Sequence, residues 1–400
     1  MSASSSAYKS GWAVQLPLSI CGLSLAERRG VKFEFVKSIL PCRRRLDMSN
    51  SPMTPTPSTR IFSPKMSSAG FNVWEALNMP EKPVAKLSEE QVGICRTAIG
   101  HLRGSRSQAD KDFDLMAAEK NVGHLNHCQT FIAQHISNQL KNRYVNVLPY
   151  DDNRVVLTAN GHASDYINAS FIMDPVHEKL PVYIATQGPL SSTTNDFWEM
   201  ILQEHCPVII MLTQLVDGSE DKCYEYFPSE LDMPVRYGRL IVTNKFVGSM
   251  ANHSIVKRVF EVRMMTDPEA PPHYVLHLEY FEWPDFRVPS TTVSLREMMR
   301  SLQFIPVDAG PFVVHCSAGI GRTGTYCVID HTLRRILNGD LTAVDVCQTL
   351  RTFRKQRYGM VQTRDQFRFC YDAVCDELED MISHSQNSTQ HSFKAAVNSR

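Results

Sequence analysis

The chain has 400 residues, 43% of them hydrophobic, and a formal net charge of zero. A chain of this length and composition can bury a large core, and the balanced charge gives no overall attraction to nucleic acid or to an anionic membrane. No stretch is long and apolar enough to predict a membrane-spanning helix, and eleven scattered cysteines without a CxxC pair argue against a disulfide framework and a structural zinc site.

Residues 1–85 are predicted to form a disordered N-terminal extension. The first 45 residues are poor in acids and contain serine and arginine, which overlaps with organelle transit peptides. The alternative is a flexible extension upstream of a second start at Met48, because Glu27 and Glu34 interrupt the transit-like pattern. We therefore expect a cytoplasmic protein that could also enter the nucleus, with organelle targeting by residues 1–47 as the alternative.

A segment rich in proline, serine and threonine follows. It cannot bury enough surface to fold, and each of its Ser/Thr-Pro pairs is a minimal site for proline-directed kinases. The hydroxyl residues that precede proline are Ser51, Thr54, Thr56 and Ser63. The run from Arg43 to Met48 resembles the docking peptides of mitogen-activated protein kinases, and the alternative is a solvated basic stretch.

Globular periodicity begins near residue 86 and ends near 382, and residues 383–400 are predicted to be a disordered tail. Strands and helices interleave, which indicates an α/β domain with a central mixed sheet flanked by helices. The predicted helices are 87–102, 131–140, 195–204, 294–302, 323–337, 343–354 and 365–382. The predicted strands are 183–186, 208–212, 239–247, 256–264, 274–281 and 312–314.

The stretch VVHCSAGIGRTGTY, Val313 to Tyr326, carries the chemistry. A short strand ends before Cys316, glycines let the backbone N–H groups turn inward as an anion nest, and a helix starts near Arg322, whose guanidinium fits two phosphate oxygens. Such donors favour a thiolate at Cys316. The alternatives are a simple strand-to-helix turn, a structural cysteine, and a Walker loop, which would need a lysine that is absent here.

The spacing HCxxGxxRTG resembles the signature of cysteine-based protein tyrosine phosphatases. The resemblance covers residues 87–380 and, with the Ser/Thr-Pro tail, is greatest to the plant-type soluble tyrosine phosphatase. It implies a nucleophile at Cys316, phosphate binding by Arg322, and assistance to hydrolysis of the intermediate by the hydroxyl of Thr323. The amide cradle of the resemblance comprises Ser317, Ala318, Gly319, Ile320 and Gly321.

The remaining site residues follow from the same resemblance. In EWPDFRVP, Asp285 matches the general acid on a mobile lid, although by spacing alone it could be a turn residue. Arg287 departs from the usual glycine, which predicts a restricted lid and slower turnover. Tyr144 in KNRY matches the tyrosine that lines a deep phosphotyrosine slot, and Lys222 matches a lysine that contacts the lid.

Further motifs complete the comparison with the family. Gln362 in MVQTRDQF matches the residue that positions the hydrolytic water, and Gln366 matches its neighbour. Asp217 stands where a glutamate usually braces the signature arginine, which makes that brace uncertain. SDYINASFI and YIATQGPL, residues 164–172 and 183–190, are interpreted as scaffold.

The sequence therefore predicts a phosphatase that hydrolyses phosphotyrosine in proteins, needs no metal or other cofactor, and acts in kinase signalling as a monomer. Its partners would be tyrosine-phosphorylated proteins, with mitogen-activated protein kinases as candidates, and neither nucleic acid nor membrane. The alternatives are a binding module, disfavoured because Cys316 and Asp285 are both retained, and a dual-specificity or lipid phosphatase, disfavoured by the KNRY motif and the uncharged signature loop. A low-pKa thiolate would also make the enzyme sensitive to oxidation.

Overall fold

A computed structural model describes residues 71–79, 86–118, 129–158, 164–177 and 179–398. The predictions for residues 1–70, including the Ser/Thr-Pro sites, the docking peptide and the start at Met48, lie outside the described residues. In the described ranges, no helix is long and apolar enough to cross a membrane.

The helices and strands alternate as an α/β domain. The helices are α1 (Val73–Leu77), α2 (Glu89–Arg106), α3 (Ala109–Ala118), α4 (Phe131–Gln134), α5 (Thr194–Gln203), α6 (Val293–Arg300), α7 (Gly321–Leu337), α8 (Val346–Arg354) and α9 (Arg364–Asn398). The strands are β1 (Arg154–Val156), β2 (Tyr166–Ile172), β3 (Tyr183–Thr186), β4 (Val208–Met211), β5 (Val216–Asp217), β6 (Glu220–Asp221), β7 (Pro234–Tyr237), β8 (Leu240–Met250), β9 (Ile255–Met264), β10 (His273–Tyr280) and β11 (Phe312–His315).

Within the described residues, one mixed sheet has the strand order β1-β2-β3-β11-β4-β10-β9-β8-β7. The central strands β3, β11, β4 and β10 are parallel, and antiparallel strands extend the sheet on either side. The predicted mixed sheet is confirmed. Because the carboxyl ends of parallel strands meet at one edge, the loops that follow these central strands converge there.

Alternating residues of β11 face two separate cores. Phe312 and Val314 belong to the core that contains α7 and α9, whereas Val313 belongs to the core that contains α5. A strand buried on both faces reads as a continuous apolar run, which explains the sequence FVV. His315 ends this strand, is fully buried, and lies on the α5 side, where its ring contacts that of Phe197.

The predicted helix at 131–140 is wrong. Helix α4 ends at Gln134, and His135 has an extended ψ of 139°. The side-chain amide of Asn138 donates to the carbonyl of Ile132, and that of Asn142 donates to the carbonyl of Ala133. Side-chain amides thus take the carbonyl groups that a continuing helix would use.

Secondary structure is described on both sides of the predicted domain limits. At the N-terminal end, Val73 of α1 is buried in the core and the Trp74 ring stacks on that of Tyr274, so the folded part begins before residue 86. At the other end, α9 runs through residues 383–398. No proline or glycine interrupts this stretch, and the hydroxyl of Ser385 accepts a hydrogen bond from the backbone N–H of Leu87.

Two buried tyrosines of the α7 core test how much a buried hydroxyl with a hydrogen-bond partner contributes to stability, compared with one without. The hydroxyl of Tyr183 donates to Asp330 at 2.6 Å, whereas no described residue is hydrogen-bonded to the hydroxyl of Tyr326. We expect Tyr183→Phe to lower the free energy of unfolding by about 1–2 kcal/mol, and Tyr326→Phe to leave it unchanged or to raise it by about 1 kcal/mol. Urea denaturation of both variants measures the difference, and an equal loss in both would contradict it.

Candidate active site

The loop between β11 and α7 holds its carbonyl groups outward. The carbonyl of Ser317 accepts from the N–H of Gly188 at 2.9 Å, and that of Ile320 accepts from the N–H of Val361 at 2.9 Å. The carbonyl of Cys316 lies 3.2 Å from Nδ1 of His315. With the carbonyl groups turned to partners outside the loop, its N–H groups face the interior.

Arg357 holds the middle of this loop from beneath. Its Nε donates to the carbonyl of Gly319 at 2.9 Å and its Nη2 to that of Ala318 at 3.3 Å. The same guanidinium bonds to Ser170 and Asn168 of β2. Burial lowers the pKa of Arg357 to about 10. A fully buried cation is tolerated because its donors are used, and it ties the loop to the sheet.

Glycine is required at position 319, where the loop approaches other backbone. Gly319 has a φ of +72°, and a Cβ there would lie 2.1 Å from the carbonyl oxygen of Thr186. A Cβ on Gly321 would lie 2.3 Å from Oε1 of Gln362. The side chain of Gln362 therefore lies against the first turn of α7, and its backbone N–H donates to Oε1 of the buried Gln366 at 2.9 Å. The sequence-predicted glutamines are thus brought to the loop.

Cys316 lies inside the ring of N–H groups. The N–H of Gly319 donates to its sulphur at 3.3 Å. Burial raises the pKa of the thiol, but the charge of Arg322 and the hydrogen bonds from Thr323 and Gly319 outweigh burial, so its pKa lies below the ordinary value. The N-terminus of α7 adds the positive end of a helix dipole, and its N-cap, Ile320, has no polar side chain to occupy the free N–H groups there.

Arg322 is bonded to the lid. Its Nη1 donates to the carbonyl of Trp283 at 2.9 Å, and its Nη2 lies 2.6 Å from Oδ1 of Asp285. Nζ of Lys222 lies 3.0 Å from the other carboxylate oxygen, Oδ2, of Asp285. The same Nζ lies 2.5 Å from Oε2 of Glu220. The lid is therefore folded over the loop. The carboxylate of Asp285 occupies the guanidinium of Arg322, which would otherwise be available to bind a phosphate.

The position predicted to brace Arg322 does not do so here. Asp217 lies in the two-residue strand β5 and its side chain is exposed, whereas Arg322 is buried. The buried guanidinium finds its partners in the lid instead. In this structure Arg322 is therefore held by the lid and not by Asp217.

The lid itself is closed by a backbone contact. The indole N–H of the buried Trp283 donates to the carbonyl of Arg287 at 3.0 Å. The residue with positive φ is Phe286, at +54°, and not Arg287, whose side chain is exposed. The closed arrangement therefore does not by itself require a glycine at position 287.

Tyr144 stands at the rim of the loop. Its hydroxyl lies 2.8 Å from the hydroxyl of Ser317, and the side chain is half-buried. The neighbouring Arg143 donates to the carbonyls of Gly188, Pro189 and Asp221. These contacts fix the KNRY segment against the loop between β11 and α7, so an aromatic ring borders the entrance to Cys316.

Sequence reasoning missed some residues that shape the site. Arg357 lies in a run, KQRYG, that reads as solvated surface, and the sequence alone gives no sign that this arginine is buried. Val361 has a φ of +59°, which is rare for a β-branched residue, and its N–H reaches the carbonyl of Ile320. Glu220 pairs with Lys222 from the exposed strand β6, and nothing in the sequence around it indicates this contact. Among the described residues, no His, Cys, Asp or Glu cluster is arranged to hold a metal.

Comparison with known proteins agrees with this geometry. The protein-tyrosine phosphatase family model matches residues 138–376. The chain is 43% identical over 328 residues to protein-tyrosine-phosphatase PTP1 of Arabidopsis thaliana, covering 80% of this chain and 95% of that protein.

Two further relatives are matched over a shorter part. Tyrosine-protein phosphatase non-receptor type 20 of Rattus norvegicus is 36% identical over 249 residues, which is 62% of this chain and 56% of that protein. Tyrosine-protein phosphatase non-receptor type 9 of Homo sapiens is 40% identical over 265 residues, which is 62% of this chain and 43% of that protein. The chain thus spans about half the length of these two relatives.

The lowered pKa of Cys316 predicts selective alkylation. Above this pKa the thiolate predominates, and reactivity is lost as pH falls through it. Iodoacetate should label Cys316 with a midpoint below about pH 8.5, the value of a free thiol, as followed by mass spectrometry of the loop peptide. Cys206, whose pKa is raised by burial, is the internal control and should remain unlabelled. A midpoint at or above that of a free thiol would contradict the assignment.

Proposed function

The chain belongs to the protein-tyrosine phosphatase family, and on this basis we propose that it hydrolyses phosphotyrosine in proteins through a phosphocysteine intermediate on Cys316. The observation that carries the proposal is the ring of inward N–H groups around the Cys316 sulphur, with Arg322 and Asp285 at its mouth. Such a ring stabilises the three equatorial oxygens of a transferring phosphoryl group.

The first step uses the loop, the arginine and the lid together. The phosphoryl group takes the place of the Asp285 carboxylate at Arg322, which frees Asp285 to turn toward the leaving oxygen. The Cys316 thiolate forms a bond to phosphorus as the bond from phosphorus to the tyrosyl oxygen breaks. Asp285 in its protonated form delivers a proton to that oxygen, so the product leaves as neutral tyrosine.

The second step returns the enzyme to its starting state. A water held by Gln362 attacks phosphorus, Asp285 takes its proton, and the bond between phosphorus and the Cys316 sulphur breaks. The thiolate is regenerated, and the buried hydroxyl of Thr323, which has no hydrogen-bond partner among the described residues, donates to the sulphur as it leaves. Because Cys316 must be ionised and Asp285 protonated, activity falls on both the acidic and the alkaline side of an optimum.

Specificity for phosphotyrosine is attributed to Tyr144. Its ring borders the entrance, where a phenyl ring can stack while its phosphate reaches the loop. The bonds of Arg143 to Gly188 and Pro189 support this role, because they hold the tyrosine at a fixed height above the loop. A phosphoserine side chain is too short to span that height.

The cellular setting belongs to the same proposal. The Ser/Thr-Pro segment and the basic peptide at Arg43–Met48 support a role in kinase signalling, with a tyrosine-phosphorylated mitogen-activated protein kinase as substrate. The protein would act as a monomer in the cytoplasm and nucleus, binding neither nucleic acid nor membrane. Peroxide would oxidise the Cys316 thiolate to a sulfenic acid that thiols reduce again.

Two substitutions test the chemistry and the substrate. Cys316→Ser should abolish turnover of a phosphotyrosine peptide, because serine is not ionised at neutral pH. Asp285→Ala should lower kcat by about 10²- to 10⁴-fold on that peptide and by less on an aryl phosphate with an acidic phenol, which needs no proton. Turnover of the peptide by Cys316→Ser at the wild-type rate would refute the mechanism.

The same Asp285→Ala variant identifies the substrate. Because it binds phosphotyrosine without completing the reaction, it should retain its substrates when expressed in cells, and wild-type protein serves as the control. Recovery of a tyrosine-phosphorylated mitogen-activated protein kinase, released by vanadate, supports the proposed partner. Recovery of other phosphoproteins alone would overturn that partner while leaving the phosphatase activity intact.

Arg287 tests whether a side chain in the lid slows turnover. Arg287→Gly should raise kcat by about two- to fivefold, because glycine frees the backbone next to the strained Phe286. Arg287→Ala removes the guanidinium but keeps the Cβ, and should leave kcat near the wild-type value. Equal kcat values in the wild type and the glycine variant would remove the idea.

A further inference from the structure

The segment from Phe131 to Val145 exposes large apolar side chains beside the entrance to the site. Val145 is 89% exposed, Leu140 87%, Ile136 75% and Phe131 66%. These four side chains are called the apolar rim below. Scattered exposed apolar residues are ordinary, whereas a dense group of them on one short segment indicates an interaction surface. None of the four has a place in the reaction described above.

The apolar rim is held beside the site by the contacts of its neighbours. Tyr144 directly precedes Val145, and its hydroxyl lies 2.8 Å from Oγ of Ser317 in the loop between β11 and α7. The side-chain amide of Asn142 donates to the carbonyl of Ala133 at 3.0 Å, which ties α4 to the same segment. A substrate whose phosphate lies in the loop and whose ring lies along Tyr144 has its own backbone at the outer end of that ring. The residues that flank the phosphotyrosine therefore pass over Val145.

The basic side chains of this segment are engaged by other parts of the domain. Nζ of Lys141 lies 2.9 Å from a carboxylate oxygen of Asp196 and donates to the carbonyl of Tyr166 at 3.3 Å. The guanidinium of Arg143 donates to three backbone carbonyls. Residues 131–146 contain no other lysine or arginine. An acidic side chain next to the phosphotyrosine thus meets no available lysine or arginine of this segment, whereas an apolar side chain meets apolar surface that it can cover.

We propose that the apolar rim binds apolar side chains that flank the phosphotyrosine of the substrate, so that the enzyme prefers phosphotyrosine in an apolar sequence to phosphotyrosine in an acidic one. A leucine or isoleucine that packs on Val145 and Leu140 removes apolar surface of both partners from water, which favours the complex. Because the apolar rim lies outside the reacting centre, the gain is equal in the bound substrate and in the transition state. It therefore lowers KM and leaves kcat unchanged. The inference rests on the proposed function.

Three phosphotyrosine peptides of equal length, with leucine, glutamine or glutamate on both sides of the phosphotyrosine, measure this preference. We expect kcat/KM of the wild-type protein to be about 5- to 30-fold higher for the leucine peptide than for the glutamate peptide, from partial burial of the flanking leucines. The glutamine peptide separates attraction of leucine from repulsion of glutamate, and its kcat/KM should also lie below that of the leucine peptide. A leucine peptide that is hydrolysed no better than the glutamine peptide would overturn the inference.

Substitutions on the apolar rim should reduce the preference. Leu140→Ser and Val145→Thr remove apolar surface at positions that are almost fully exposed, so the core is unchanged. Each should lower the ratio of kcat/KM for the leucine peptide to that for the glutamine peptide by about two- to fivefold, through KM. Val145→Lys supplies a cation beside the entrance and should raise kcat/KM for the glutamate peptide. Ratios that stay at the wild-type value in all three variants would refute the proposed surface.

Val176 provides the matched control for Val145. It is 78% exposed and follows β2, whose last residue, Ile172, pairs with the first residue of β3, Tyr183. Val176 therefore lies at the opposite end of the sheet from the loop that follows β11, which is parallel to β3. Val176→Thr should keep the wild-type kcat/KM for all three peptides. A loss of preference in Val176→Thr equal to that in Val145→Thr would contradict the inference.

The outcomes separate this inference from the proposed function. Wild-type protein that hydrolyses none of the three peptides would refute the function, and the inference with it. Wild-type protein that hydrolyses all three with equal kcat/KM would refute the role of the apolar rim alone. Sedimentation at the assay concentration tests a second copy of the chain as the occupant, and a dimer that Leu140→Ser dissociates would also overturn the inference. A ratio of two peptides in one variant does not depend on the fraction of active protein.

Discussion

The outward orientation of the carbonyl groups from Cys316 to Ile320 is the constraint on which the site depends. The donors to these carbonyls come from Gly188, His315, Arg357 and Val361, and only together do they leave the N–H groups free to face inward. A peptide unit that rotated would put a partial negative charge beside the thiolate, where it would raise the free energy of the ionised form. The chemistry therefore depends on contacts made behind the loop.

The architecture explains why so many donors are available at this point. The loops after β3, β11, β4 and β10 leave the sheet at one edge and supply Gly188, Cys316, Lys222 and Asp285 in turn. Charges are concentrated there as well, because Arg322 and Arg357 are both buried on the two sides of the same loop. Removing the partner of a buried charge costs several kcal/mol, typically about 3–5, so the groups that surround these arginines are fixed as a set.

Much of the fold and of the site could be predicted from the sequence, for identifiable reasons. The buried strand FVVH and the helix after it have strong periodicity, and the spacing from Cys316 to Arg322 admits few other interpretations. The helix at 131–140 failed because side-chain amides compete with backbone bonds, an effect that periodicity does not contain. Arg357 was missed because burial of a polar residue depends on partners that are distant in sequence.

The closed lid has a consequence for how any anion binds to this molecule. With Asp285 at 2.6 Å from Arg322, an incoming oxyanion competes with a carboxylate that belongs to the protein itself. The apparent affinity of an inhibitor is then its intrinsic affinity multiplied by the fraction of molecules in which Arg322 is unoccupied. The affinity of a compound thus depends on whether it binds beneath an open lid or lets the lid close over it. Contacts with the loop alone would not predict the order of these affinities.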